Sequence, residues 1–365
     1  MGIPFFCILL RIKTLSMKTK ILFISVVLLI CGCATMYRTA SSYQNEFIVM
    51  FYNLENMFDI IDSPDTNDSD FTPTGAKNWT RNRYETKKKR IWQVIASVSD
   101  KHFPDIIGVC EIENHAVMQD ILNDTPLGAM GYQCYYHETQ DRRGIDVAVL
   151  YRSETFMPID TMFFPIYFPT DPTYHSRDII YIKGIAKEFG DTLHVFVNHW
   201  PSRYSGRIAS EELRFTAAHT LRHLADSLFA INPLSKIVCI GDFNDTPLDR
   251  SVNEGLNSFT NFDTIQPAAI YNLAHYMQTV KKMWTYNYQG IYDILDQVFV
   301  SGGLMLNKGL CCTKDDAQTV FREFIVEYDA HGPKPKRTYI GMKYNDGFSD
   351  HLPVMLTLHE PIQNK

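Results

Sequence analysis

The sequence predicts a mixed α/β domain, and three observations predict it. Short apolar runs rich in β-branched residues recur along the chain and read as buried strands. Two stretches with apolar residues at helical spacing, 81–99 and 210–230, fall between those runs, so strands and helices interleave. Hydrophobic residues make up 45% of the chain and charged residues 21%, which allows a sizeable core and argues against long disorder. A chain of 365 residues is within reach of one large domain, placed here at 46–360.

The first strand, Phe47 to Tyr52, ends at Asn53, Glu55 and Asn56. Residues 59–80 are rich in Asp, Asn, Thr, Pro and Ser and read as a surface loop. In the helix that follows, Tyr84, Ile91, Val94, Ile95 and Val98 share a face, and the run Lys87 to Arg90 is expected on the solvated side. Asp105 to Cys110 forms a second strand with Glu111 and Asn114 at its end. A short helix near 116–122 comes next, then Arg142-Arg143-Gly144 leads into a strand over 145–152. Neighbouring strands at 179–187 and 193–197 follow, the second ending at Asn198 and His199. The loop after His199 carries Arg203 and Arg207. Ser210 is placed to cap a helix reaching Ala230, with Glu211 and Glu212 in its first turn and Leu213, Ala217, Leu221, Leu224 and Leu228 inward.

Lys236 to Ile240 is a buried strand that delivers Gly241, Asp242 and Asn244 without a spacer. Asp296 opens another strand, and Ser349-Asp350-His351 opens the last, 352–358. Residues 305–339 lack periodicity and read as a connection rather than a second domain. Trp200, Trp284, Tyr286 and Tyr288 have two readings, as platforms for stacked bases or as half-buried core aromatics.

Residues 1–33 read as a targeting segment. Lys18 and Lys20 precede an apolar run, Ile21 to Ile30, far short of the ~20 residues a membrane-spanning helix needs. Gly32-Cys33 after that run fits a bacterial lipoprotein signal with Cys33 as the lipid-bearing residue, and residues 34–45 then form a tether. Met17 makes a better start than Met1. The expectation is a monomer anchored to the membrane by lipid and facing the periplasm on the outer membrane of a Gram-negative cell. Net charge is −6, and loss of residues 1–32 removes four basic residues and no acids, leaving a more acidic domain. That balance argues against tight non-specific DNA binding, which usually needs a basic surface. Cys110 and Cys239 lie in strand patterns and read as small core residues, while the adjacent Cys311-Cys312 suits neither zinc nor an easy bridge.

Asn53, Glu55, Glu111, Asp242, Asn244, Asp296, Asp350 and His351 all stand at strand ends. One such Asp caps a turn as often as not. Several carboxylates at one rim, however, repel one another and raise each other's pKa, and a bound divalent cation removes that repulsion. Oxygen donors without a Cys or His cluster point to Mg²⁺ or Mn²⁺. His199 and His351 supply groups able to move protons, His351 with Asp296 as an oriented imidazole. Arg203 and Arg207 are either forked phosphate donors or ordinary surface residues.

These motifs resemble the endonuclease/exonuclease/phosphatase superfamily, the DNase I-like metallohydrolases. The resemblance rests on Asn53/Glu55/Asn56, Pro104 to Glu111, Asn198-His199-Trp200, Gly241-Asp242-Phe243-Asn244, Asp296 with its strand, and Ser349 to Val354, in the family's order. It implies a four-layer α/β/β/α sandwich built from two similar halves. It further implies Glu111 as the main metal ligand with Asn53, Glu55 and Asp350 nearby, and Asp242 and Asn244 as the groups that position or activate water and hold the phosphate. His351 with Asp296 would be an acid–base dyad, and His199 would bind the scissile phosphate. Asn198, Arg203, Arg207 and Tyr286 are carried as candidate substrate contacts. The chain departs from the family at Cys110, where Gln is common, and at Glu55, where nucleases often carry Asp. The implied activity is metal-dependent phosphodiester hydrolysis, first as a nuclease acting on nucleic acid. The alternatives are a phosphoesterase for lipid head groups or inositol phosphates, and a non-catalytic binding protein on the same scaffold.

Overall fold

A computed structural model describes residues 45–99 and 102–361. The expected lipidation at Cys33, the targeting segment and most of the tether lie outside the described residues. No helix among the described residues is long and apolar enough to cross a membrane.

Alternation along the first strand sets the layering. In β1 (Glu46–Met57) Phe47, Val49 and Phe51 point to one face and Ile48, Met50 and Tyr52 to the other, and both sets are buried. A strand buried on both faces needs a partner layer on each side. The remaining strands follow the same logic: β2 (Ile106–Ile112), β3 (Tyr132–Tyr136), β4 (Asp146–Arg152), β5 (Phe156–Phe164), β6 (Ile179–Ala186), β7 (Asp191–His199), β8 (Lys236–Asp242) and β9 (Ile270–Asn272). A small hairpin, β10 (Tyr286–Tyr288) and β11 (Ile291–Asp293), precedes β12 (Asp296–Ser301). Then come β13 (Ala317–Thr319), the pair β14 (Val326–Asp329) and β15 (Gly332–Pro335), the pair β16 (Tyr339–Ile340) and β17 (Lys343–Tyr344), and the last strand β18 (Val354–His359).

Two six-stranded sheets result, ordered β13-β18-β1-β2-β4-β3 and β5-β6-β7-β8-β12-β9. Val49, Cys110, Val195, Val238, Val298 and Leu356 meet in one cluster between them. On the outer face of the first sheet, helix α1 (Arg81–Ala96) and helix α2 (His115–Asp124) cover Ile48, Met50 and Tyr52. Helix α3 (Glu211–Ile231) covers Phe196, Ile237 and Cys239 on the second through Ala217 and Leu221. The layers are therefore helix, sheet, sheet, helix.

Each sheet has one parallel pair, β1 with β2 and β7 with β8, and parallel neighbours need a crossover, supplied by α1 and α3. Because the four strands of these pairs end at one pole, Asn53, Glu111, His199 and Asp242 are delivered together. The antiparallel β12 and β18 begin at that pole and bring Asp296 and His351 to it. Gly241 is required here: a Cβ at that position would lie 2.2 Å from the carbonyl oxygen of Asn198, its register partner on β7.

The basic run of α1 departs from expectation. Lys87 and Lys88 are buried. Lys87 Nζ donates to Thr338 Oγ1 at 2.6 Å and to the Phe348 carbonyl, and Lys88 pairs with Asp124 and Glu85. The face read as solvated is covered by residues 336–348 and the end of α2, which helical spacing alone does not locate. Residues 305–339 are less irregular than expected, since they hold β13, β14 and β15. Ser210 sits at the N-cap position of α3 but does not cap; its Oγ donates to Gly206 and accepts from Arg214 Nη1. The described cysteines are free, with Cys110 and Cys239 buried in strands.

At the pole opposite the site, His359 Nε2 lies 3.1 Å from Asp316 Oδ2. Burial alone would push this imidazole down, but the contacts with Asp316, Cys311 and the Glu360 carbonyl raise it to about 10. A folded pKa raised above the unfolded value gives stability that is whole below about pH 6.5. It is lost as pH rises toward 10. His359→Gln should therefore lower stability at pH 6 by about 2 kcal/mol and flatten the decline toward alkaline pH, read from urea midpoints across that range.

Candidate active site

Four residues of the pole have left-handed backbone: Glu55 (φ 51°), Asn56 (φ 51°), Glu111 (φ 61°) and Asn244 (φ 51°). That conformation costs about 1–2 kcal/mol for a residue with a Cβ, and such strain collects at functional sites. In the first sheet it coincides with register shifts after Asn53 and after Cys110, so the strand ends bulge toward the cleft.

Asp242 is the hub. Its Oδ2 accepts from Asn53 Nδ2 at 3.1 Å and its Oδ1 from the Asn244 amide at 2.9 Å. His199 Nε2 lies 3.7 Å and His351 Nε2 4.0 Å from Oδ2. Burial raises the Asp242 carboxyl to about 7, with His351 working against the rise and Asp296 adding to it. His351 Nδ1 is 2.7 Å from Asp296 Oδ2, and its ring lies 5.0 Å from that of Tyr286. Burial opposes charge on His351, but Asp296 and Asp242 together hold its pKa well above the ordinary value. His199 goes the other way: burial, then Arg177 and Arg143, hold it well below, so it stays neutral. Its Nδ1 is buried without a partner among the described residues.

Glu111 Oε2 accepts from the Asn56 amide at 2.8 Å. Glu55 is buried, one oxygen accepting from the Thr338 amide at 2.5 Å and the other from Arg337 Nε at 3.4 Å. Burial, then Asp350, raise Glu55 to about 7, against Lys87 and Arg337. Asp350 Oδ2 accepts from Arg337 Nη2 at 2.9 Å. A buried carboxyl raised in this way beside a second carboxylate, as Glu55 is beside Asp350, is expected where a cation belongs. The all-oxygen donors Glu111 and Asp350, with Glu55 behind them, fit a hard divalent ion. The tightest donor set is a different one, Asp242, Asp296 and His351, with one atom from each within 4.8 Å of the others. There His351 Nδ1 is committed to Asp296 and both Asp242 oxygens accept hydrogen bonds, so that set reads better as proton-transfer machinery.

A cleft of about 1670 Å³ gathers Glu111, His199, Asp242, Asn244, Asp350 and His351. Arg203, Arg207 and Tyr286 line it as well. Arg203 is held by Asp245, Asp249 and Asp293, whereas Arg207, mostly exposed, pairs with Asp249 alone. Asn198 is behind the wall, fully buried, its Oδ1 accepting from the Trp200 indole. Trp200 is core, stacked edge-on against Phe243. Tyr286 half-lines the cleft and Tyr288 is exposed at its rim.

Two parts of the site were not legible beforehand. Arg337 comes from the stretch read as a connection. Arg177, fully buried, bonds Asp141 Oδ2 at 2.9 Å and the Trp200 carbonyl at 2.5 Å, bracing the segment that carries His199. Arg142-Arg143 offered a local signal, since the turn before β4 brings Arg143 to the cleft.

Comparison with known structures gives the same architecture at low identity. A Bacteroides thetaiotaomicron endonuclease/exonuclease/phosphatase family protein superposes with TM-score 0.52 at 17% identity, over 88% of this chain and 98% of that one. The human nocturnin catalytic domain gives 0.51 at 15% identity, over 86% and 94%. TDP2 from Caenorhabditis elegans gives 0.52 at 15% identity, over 90% and 79%. No match was found among curated proteins. The family model described as the endonuclease/exonuclease/phosphatase family matches residues 48–360, nearly all of the described domain. This chain belongs to the endonuclease/exonuclease/phosphatase family, a superfamily of phosphoester hydrolases.

Proposed function

We propose that this protein is a divalent-metal-dependent phosphoesterase acting on compact phosphoesters, of the inositol-phosphate or lipid-head-group kind. The observation that carries the chemistry is the convergence of Glu111, Asp350, Asp242, His199 and the His351–Asp296 dyad on one cleft. When bound, Mg²⁺ or Mn²⁺ would polarise the phosphoryl group and bear part of the charge that builds on it. Glu111 and Asp350 would hold the ion. Asp242, fixed by Asn53 and Asn244 and poised near neutrality by burial, can take a proton from the attacking water. His351, kept protonated by Asp296, can give one to the leaving oxygen. Neutral His199 donates to a phosphoryl oxygen without adding a charge to be desolvated.

The pairing of Arg203 and Arg207 with Asp245, Asp249 and Asp293 favours a compact substrate. A polynucleotide backbone needs a row of open cations, and among the arginines lining the cleft Arg203 and Arg207 are both paired with acidic residues. The nuclease reading is supported by a different feature, the aromatic rim of Tyr286 and Tyr288, which could stack bases. With Mg²⁺ or Mn²⁺, inositol phosphates should be hydrolysed and supercoiled plasmid left intact. EDTA should abolish turnover, and Glu111→Gln should lower kcat/KM by about 10²–10³-fold. Plasmid nicking sensitive to both, without inositol phosphate turnover, would give the assignment to the nuclease. Lipid anchorage at Cys33 belongs to the same proposal, and mature protein left unlabelled after growth in radioactive palmitate would remove it.

A further inference from the structure

Five arginines line the cleft, and their counter-ions are unevenly spread. Arg203 is held by Asp245, Asp249 and Asp293, Arg207 by Asp249, and Arg337 by Glu55 and Asp350. Arg142 and Arg143, both exposed, differ. The Arg142 guanidinium has no ion pair or hydrogen bond among the described residues. Asp171 lines the same cleft, but its Oδ1 accepts from the amide and hydroxyl of Thr173. Arg143 meets one acid, Asp141, through Nε at 3.5 Å, which leaves its Nη groups without a partner among the described residues. That carboxylate is already committed to buried Arg177, whose Nη1 is 2.9 Å from its Oδ2. One negative charge therefore serves two guanidinium groups, and with Arg142 beside them this wall of the cleft carries an excess of positive charge.

The turn that carries the pair is fixed, which lowers the entropy lost when long side chains close on a ligand. The Arg142 carbonyl accepts from the Asn67 amide at 3.1 Å, and the Arg143 amide donates to Asp141 Oδ1 at 2.9 Å. Gly144, with φ +63°, packs the turn against Thr66, since a Cβ there would lie 2.7 Å from that of Thr66. The turn also stands near the reaction centre, because His199 is held below its ordinary pKa by burial, then Arg177, then Arg143. Forked donors on a fixed turn suit a phosphate group. Two adjacent residues supply one anion subsite, not the row that a polynucleotide backbone needs. We propose that Arg142 and Arg143 form a second phosphate subsite, so that the substrate is a compact molecule carrying a further phosphate besides the one hydrolysed. The inference rests on the phosphoesterase reading above and adds the second charge of the substrate and the residues that select it.

The test is a substrate ratio, measured on the full-length chain with Mg²⁺ by release of inorganic phosphate. Wild type should favour inositol 1,4-bisphosphate over inositol 1-phosphate by at least about thirtyfold in kcat/KM, and Arg142→Gln and Arg143→Gln should each lower that preference by about tenfold. Both rates come from one preparation, so the ratio does not move when part of a variant is misfolded. Phosphatidylinositol 4-phosphate against its 4,5-bisphosphate, in phosphatidylcholine vesicles, gives the same ratio for head groups, and the pair that is turned over tells a lipid substrate from a soluble one. A wild type that treats the members of a pair within about threefold, or a preference that survives either substitution, would overturn the proposal. A wild type that releases phosphate from none of the four compounds would remove the compact-phosphoester reading and the proposal with it.

Discussion

Asp296→Asn should lower kcat by about 10³–10⁴-fold while leaving the fold intact, an effect of about 4–5.5 kcal/mol on the barrier. The side chain is fully buried, and its Oδ2 is 2.7 Å from His351 Nδ1. The amide of Asp296 donates to Thr285 Oγ1 at 3.2 Å, so the backbone that carries the carboxylate is fixed. Asparagine fits the same space but carries no charge, and an N–H presented to Nδ1 leaves a neutral imidazole, a far weaker acid than the imidazolium. The largest influence raising His351 above its ordinary pKa also disappears, since burial alone pushes it down. A proton donor acts only below its pKa, so the alkaline limb of the kcat profile should move to lower pH in the variant. Steady-state kinetics from pH 5 to 10 measure both effects. A kcat within tenfold of wild type would mean that the dyad is not the acid–base device.

That dyad was legible because each partner opens or closes a strand. Alternation places residues on a face, and a strand that stops in an acceptor group puts it on a rigid rim. Asn53, Glu111, His199, Asp242, Asp296 and His351 all carry this signal, and all reach the same pole. The four-layer order was legible only through the family resemblance, since doubly buried strands state that layers exist on both sides without saying which. Arg337 carries no such signal. It sits 282 residues from Glu55, in a stretch with neither alternation nor helical period. The same gap explains α1. A run of four basic residues on a helix reads as solvated until another segment is known to cover it, and Thr338 and Phe348 cover Lys87. Arg203 and Arg207 were placed at the cleft by their distance from His199, but their acidic partners follow Asp242 in another loop. Proximity in sequence located the guanidinium groups, and only the fold determines whether they are open.

Arg177→Met should destabilise the protein by about 3–5 kcal/mol, as expected when one partner of a buried ion pair is removed. Arg177 is 1% exposed, and its Nη1 lies 2.9 Å from Asp141 Oδ2. Burial works against Arg177's charge, but Asp141 outweighs it, and the carboxylate is in turn held low by Arg177 and Arg143 against its own burial. Methionine fills the volume and leaves Asp141 with the more distant Arg143, whose Nε is 3.5 Å away. Trp200 keeps the bond its carbonyl accepts from Asn244 Nδ2 at 3.1 Å but loses the one from Arg177. Urea unfolding should therefore show a lower midpoint at unchanged slope. Adding Asp141→Leu should restore part of the loss, because two apolar groups strand no charge, and this non-additivity identifies the pair. Activity should not return with stability. The Arg177–Trp200 bond also braces the residue after His199, and a slack His199 would still misplace its hydrogen bond to the phosphate in the double variant. A single variant that loses less than 1 kcal/mol would show that Asp141 is solvated, and the buried brace would then have no role in holding His199.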